Sequence, residues 1–315
     1  MVDQDRTEII MSESSPPGFL TAGEVSRWTI LAARVKANKN LVVGGVLVLI
    51  FVFMAIFAPY LTRYDPNKRD FSARFAQPSM HHLMGTDHFG RDTFSRILFG
   101  TRISFEVGIV SVLIGMIIGV IIGAVAAYWG GFIDSLLMRM MDGLLAFPQL
   151  LLAIALVAFM TTNLGTVSIA IGVVFIPRFA RVMRSAVLVE MKREYVEAAK
   201  AIGQSGFKIL FRHIGPSTIS PVVVLATLVF AFAVLTEAGL SFLGLGLPPP
   251  NPSWGRMLDE ARHYLSASGW TSFFPGVAIS LAVLGFNLLG DGFRDFLDPK
   301  MSGAVDMGKR ESLGD

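Results

Sequence analysis

Long apolar runs separated by short polar segments dominate the chain. A bilayer core of about 30 Å takes roughly 20 residues of helix to cross. Leu41 to Leu61 carries no charge, and Ile103 to Ala127 carries one, Glu106. Gly143 to Pro177 is uncharged throughout and too long for one span. The stretch Thr161-Thr162-Asn163-Leu164-Gly165 inside it reads as a tight turn, so two helices are predicted there. Ser217 to Thr236 and Phe273 to Gly290 complete six spans with both ends on one side. The runs lack period-two alternation, which argues against a β-barrel, and their length argues against a soluble helical protein.

The segments this pattern predicts are a tail over 1–40, a first span over 41–61 and an extracytoplasmic loop with a short surface helix over 62–102. A five-helix core over 103–295 follows, holding a cytoplasmic loop at 185–216, and 296–315 forms a second tail. Of the 27 Lys and Arg residues, 18 fall in the tails and loops on the side of the termini, and nine on the other. Seven of those nine lie between Arg63 and Arg102, in tension with the positive-inside rule, yet the balance places both termini in the cytoplasm. Trp129, Trp254 and Trp270 stand at expected membrane interfaces. The first forty residues lack a basic segment followed by an apolar one, so they do not read as a cleaved signal peptide.

Composition narrows the function. Hydrophobic residues make up 53% and charged ones only 16%, against about 25% in a typical soluble domain. The net charge is +3, and the basic residues are dispersed between apolar runs, so no nucleic-acid partner is expected. The chain has no cysteine, which removes disulfides and thiolate metal sites.

The polar segment between the fourth and fifth spans is the most informative. In Arg193-Glu194-Tyr195-Val196-Glu197-Ala198-Ala199-Lys200-Ala201-Ile202-Gly203 charges alternate with apolar residues at helical spacing. Tyr195, Ala198, Ala199 and Ile202 are predicted to share one face, with small residues that admit another protein. Gly203 and Gly206 allow a turn before a second helix over Phe207 to Ile214. The plainer reading is an amphipathic helix resting on lipid headgroups.

The pattern Glu197-Ala198-Ala199, three residues, Gly203, then Ile214-Gly215-Pro216 resembles the EAA loop of bacterial ABC importer membrane subunits. Gly215 replaces the usual leucine and the isoleucine is displaced by one place. Three further segments resemble the second, C-type permease subunit of dipeptide, oligopeptide and nickel importers. They are His82-Leu83-Met84-Gly85-Thr86-Asp87-His88-Phe89-Gly90-Arg91-Asp92, the run from Leu240 through Pro248-Pro249-Pro250 to Trp254-Gly255, and Phe286 to Asp295. The resemblance covers residues 30 to 301. It implies an all-α, polytopic type I ABC importer permease in the bacterial inner membrane. It also implies a second homologous permease, two cytoplasmic ATPase subunits and an extracytoplasmic solute-binding protein as partners. In that family the EAA helix couples ATPase closure to the pore, a role that falls here on Tyr195, Val196, Glu197, Ala198, Ala199, Lys200, Ala201, Ile202 and Gly203. The implied cargo is di- or oligopeptides, with nickel or another solute as the alternative.

Other residues qualify this picture. Gly115, Gly119 and Gly123 form a small-residue stripe for helix packing. Glu106, Glu237 and Asn287 are the candidate pore or gate residues, although both carboxylates are expected near outer span ends within reach of water. Their plain role is a hydrogen bond to a neighbouring helix. His81, His82 and His88 lack an acidic or Cys cluster to complete a metal site. Asp87, Arg91 and Asp92 are expected to cap and pair in a short surface helix. Asp142 is expected to pair with Arg139, and Arg178, Arg181 and Arg184 to snorkel at a cytoplasmic helix end. No phosphate-cradling G-x-x-x-x-G-K-S/T loop, nucleophile elbow or H-E-x-x-H helix is present, so neither ATP hydrolysis nor proteolysis is expected of this chain, and no cofactor or metal. A secondary transporter driven by an ion gradient is the competing class. It would use midspan ionisable groups, and none is seen near a span centre.

Overall fold

A computed structural model describes residues 35–297. The predicted tails lie outside it, up to residue 34 and from 298 on. Within it the long helices are α1 (Lys39–Leu61), α2 (Thr93–Trp129), α5 (Leu164–Glu190), α7 (Ile219–Phe242) and α9 (Trp270–Leu297). Shorter helices are α3 (Gly131–Leu145), α4 (Gln149–Ala158), α6 (Glu194–Ala201) and α8 (Trp254–Arg262). The five long helices are apolar enough to cross a membrane, and the pair α3 and α4, bent by 90°, makes a sixth if counted as one span.

Several boundaries differ from the sequence reading. Helix α2 begins ten residues before Ile103, inside the predicted loop 62–102, because the side chain of Asp92 caps it through Ser95 N at 2.8 Å. The polar residues Thr93, Ser95 and Arg96 continue the helix because each is buried against other parts of the protein. The third span is broken: Pro148 lacks an amide hydrogen and sits at the bend, where α4 starts. Helix α5 runs to Glu190, into the predicted loop 185–216. The loop over 62–92 holds a single 3-10 turn at Phe71–Ala73 and otherwise irregular chain.

Glycines set the closest helix contacts. A Cβ on Gly115, Gly119 or Gly123 of α2 would lie 3.0, 2.6 and 2.2 Å from the carbonyl oxygens of Gly172, Ile176 and Ala180 on α5. The stripe therefore faces a helix of the same chain, backbone against backbone. Helices α1 and α9 meet in the same way, with a Cβ on Gly44 reaching 2.4 Å from Leu289 N. The main core gathers Phe105, Val107, Phe175, Phe179, Val229, Phe230 and Trp254 from α2, α5, α7 and α8. Trp254 is fully buried, not interfacial, and donates from Nε1 to the Ile97 carbonyl at 3.2 Å. It fills the junction where α8 folds back on α2 and α7, and Phe51 of α1 packs edge-on against its ring at 5.7 Å.

Candidate functional site

Helix α6 stands between α5 and α7, joined to α5 by three residues. Its charges suit its dipole, with Glu194 and Glu197 in the first turn and Lys200 in the last. Val196 and Ala199 are buried and belong to the main core together with Ile209, Leu210 and Ile214. Tyr195, Ala198 and Ile202 face outward, Ile202 being 74% exposed. The single face predicted for Tyr195, Ala198, Ala199 and Ile202 is thus divided. Ala199 turns in with Val196, three positions earlier, because the helix needs an apolar stripe to seat it.

Gly203 ends the helix with φ +76°, and a Cβ there would have no atom within 4 Å. The position needs glycine for backbone conformation, not for space. The turn closes where Gln204 N donates to Ala199 O at 3.1 Å, and Gln204 Oε1 lies 2.8 Å from His213 Nε2. Tyr195 donates its hydroxyl to Glu190 Oε2 at 2.7 Å, tying α6 to the end of α5. Beyond the turn the chain winds as a π-helix over Ile209–Ile214. It relaxes to α geometry at Gly215–Ser217, where the family pattern departs. The Phe207 and Phe211 rings lie 4.4 Å apart, tilted by 41°, on its exposed side.

The carboxylate candidates separate. Glu237 is fully buried and out of reach of water, contrary to expectation, because α7 extends six residues past Thr236. Its carboxyl accepts from Ser241 Oγ at 2.7 Å and from Ser104 Oγ of α2 at 3.2 Å. Glu106 is exposed on α2 and Asn287 half-buried on α9, and among the described residues no hydrogen bond joins either to Glu237.

A second polar centre lies in the segment before α2. Asp87 does not sit in a surface helix. Its Oδ1 accepts from Phe89 N and Arg91 N in a tight loop, and its Oδ2 from Arg91 Nε at 2.6 Å. Glu260 of α8, more than 160 residues away in sequence, accepts from Arg91 and from Arg96. The Arg96 side chain is almost wholly buried. Glu260 supplies the acidic neighbour that His88 lacked in sequence, and Asp87, His88 and Glu260 converge within 4.8 Å. Both carboxylates are already held by guanidinium groups, whose charge opposes a further cation, so the cluster is a salt-bridge network. Burial holds the His88 imidazole below its usual pKa, and its ring stacks on Tyr264 at 4.9 Å. His82 binds Asp92 instead, at 2.9 Å, and His81 is exposed.

Other arginines also find distant partners. Asp142 pairs with Arg181 at 2.6 Å, not with Arg139 on its own helix, and Arg184 forks onto Asp134 through two bonds of 2.6 Å. Arg178 lies over the Phe232 ring at 5.0 Å. Asp134 escaped the sequence reading. Its spacing of eight from Asp142, which puts both on one helix face, was the available signal.

Comparison with known proteins agrees with this architecture. Residues 115–303 match the family described as binding-protein-dependent transport system inner membrane component. Residues 26–78 match the N-terminal transmembrane domain of oligopeptide transport permease C. The dipeptide transport system permease protein DppC of Alkalihalophilus pseudofirmus is 44% identical over 288 residues, covering 91% of this chain and 95% of that protein. A putative peptide transport system permease protein of Brucella abortus is 42% identical over 92% of this chain and 99% of its own length. The glutathione transport system permease protein GsiD of Pectobacterium atrosepticum is 47% identical over 87% of this chain and 91% of its own. The chain is therefore a multi-pass membrane protein that belongs to the family of inner membrane components of binding-protein-dependent transport systems, and within it to the C-type permease subunits of ABC importers.

Proposed function

We propose that this subunit forms half of a peptide-translocating pore, with α6 as the helix through which a separate ATPase drives it. A second homologous permease completes the pore, two cytoplasmic ATPases hydrolyse ATP, and an extracytoplasmic binding protein delivers di- or oligopeptides. Both termini and α6 then lie in the cytoplasm, while the loop over 62–92 and α8 face outward. The relatives' names, which cover dipeptide, peptide and glutathione transport, support a peptide cargo over nickel.

The observation that carries the coupling reading is the division of α6 into two faces. Val196 and Ala199 are seated in the core, and Tyr195, Ala198 and Ile202 are left exposed beside them. A short helix anchored this way moves with the spans, whereas a flexible loop would absorb the displacement. The turn at Gly203 and the Tyr195–Glu190 bond stiffen both ends.

The chain has no cysteine, so single introduced thiols report cleanly. Ile202→Cys is expected to crosslink to an ATPase subunit in the active complex and to react with impermeant maleimide only from the cytoplasmic side. Phe159→Cys, in the turn before α5, is expected to react only from outside. Gly203→Val places a β-branched residue at positive φ, a strain of about 1–2 kcal/mol. It is expected to abolish uptake with membrane insertion intact. Normal uptake by that variant, or no ATPase captured along α6 in an active complex, overturns the coupling role. The cargo is settled by titrating the purified binding protein with peptide and metal-ion panels.

A further inference from the structure

Helix α3 is held unlike its neighbours. Helix α5 buries thirteen residues, whereas α3 buries only Met141. Met141 joins a small apolar cluster with Ile176 and Ala180, separate from the main core. Both ends of α3 are joints. At its start Gly130 and Gly131 have φ +62° and +53°, and a Cβ on either would meet no atom within 4 Å. At its finish the chain turns 90° through Ala146, Phe147 and Pro148 into α4.

Beside that cluster, to which Met138 and Leu144 of α3 also pack, the bridges from α3 to α5 are ionic. The fork of Arg184 on Asp134 and the bond of Arg181 to Asp142 bridge α3 to α5. The two aspartates are eight residues apart and the two arginines three, so each pair shares one helix face. These groups line an open polar cleft of about 700 Å³ with Ser135, Arg139 and Ser185. Arg181 and Asp142 are more than half exposed. An ion pair this exposed exchanges with water readily and contributes little to overall stability, and the Asp134–Arg184 fork is more enclosed, its side chains 20% and 33% exposed. Together they suit a contact that opens and closes more than one that holds the fold.

We propose that the Asp134–Arg184 and Asp142–Arg181 pairs form a releasable latch that sets the angle of α3 against α5, and that the transport cycle requires its release. This rests on the coupling reading of α6. Helix α5 leads within three residues into α6 and is locked to α2 by the glycine stripe, so displacement of α6 carries α2 and α5 together. Helix α3 is joined to that body by Gly130–Gly131, the small Met141 cluster and the latch, and α4 continues from its other end to pack on α5 and α7. Opening the latch frees α3 to change angle between the Gly130–Gly131 and Pro148 joints, while α4 stays seated in the main core through Ala153 and Val157.

The test uses the full transporter in proteoliposomes, with cysteine-free partners and with Ser135→Cys and Ser185→Cys bridged across the cleft by a short cleavable bis-maleimide. Bridging is expected to abolish uptake, and cleavage to restore it, while each single variant treated alike stays active. Uptake at the unbridged rate in a fully bridged sample overturns the latch. In a second arm, Asp134→Arg alone is expected to leave ATP hydrolysis running with uptake reduced. Adding Arg184→Asp, which restores the pair with exchanged charges, is expected to recover uptake. If the exchange behaves as the single variant does, the pair is not the device. Capture of the ATPase through Ile202→Cys, measured in the same bridged sample, separates failure of the latch from failure of the coupling reading.

Discussion

Single glycines show how space and backbone conformation make separate demands. Gly119 has no room: its missing Cβ would lie 2.6 Å from both Ile176 O and Phe179 Cβ. Gly143 has nothing within 4 Å of the same position, although it too lies in a helix. Gly119→Leu is therefore expected to separate α2 from α5 and to destabilise the fold by about 1–3 kcal/mol or more, as overpacking does. Gly143→Ala is expected to be neutral or to stabilise by up to about 1 kcal/mol through helix propensity. Thermal unfolding of the two purified variants in detergent checks both, and equal melting points would refute the contrast.

Between elements, polar side chains do the work that apolar burial does elsewhere. Lipid is as apolar as a helix surface, so burial alone does little to choose helix partners in a membrane. Glu237 of α7 bonds Ser104 of α2, and Trp254 of α8 bonds the Ile97 carbonyl of α2. These contacts fix α8, the first turns of α2 and the last turns of α7 against one another. Glu237→Leu leaves the buried Ser104 and Ser241 hydroxyls without their acceptor, at about 1–3 kcal/mol for each unsatisfied group. Glu237→Gln keeps an acceptor oxygen and is expected to retain most of that stability. A leucine variant that melts with the glutamine variant would show that the bonds contribute nothing. Helix α3 differs: it buries only Met141, and its ties to α5 are one exposed ion pair and one partly buried pair.

Across the whole molecule, the loop over 62–92 and α8 act as one cap because four charges meet there. Asp87, Arg91 and Arg96 come from one part of the chain and Glu260 from another, and Arg96 is almost entirely enclosed. Removing one partner from a buried network leaves an uncompensated charge, which costs about 3–5 kcal/mol. Glu260→Ala is therefore expected to lower stability by about that much and to expose the loop to protease. Limited proteolysis of proteoliposomes at one temperature compares it with the parent. A cleavage pattern unchanged from the parent would show that the cap is held by other contacts.

Local spacing was enough to read five of the six spans, the EAA-like helix with its glycine and the α2 stripe, because helical periodicity and apolar length act over neighbouring residues, but not the 90° break in the third. It also showed that Gly115, Gly119 and Gly123 form a close-contact face, yet not that α5 covers it. Which way α6 rolls, so that Ala199 turns inward while Ala198 and Ile202 stay free, was decided by the core it seats on. Glu260 meets Arg96 and Asp134 meets Arg184 only after the chain has folded, since sequence separation carries no distance. The burial of Glu237 and of Trp254 has the same origin: α7 and α8 turn back against α2, and enclosure is a property of the assembled helices, not of either residue's neighbours in the chain.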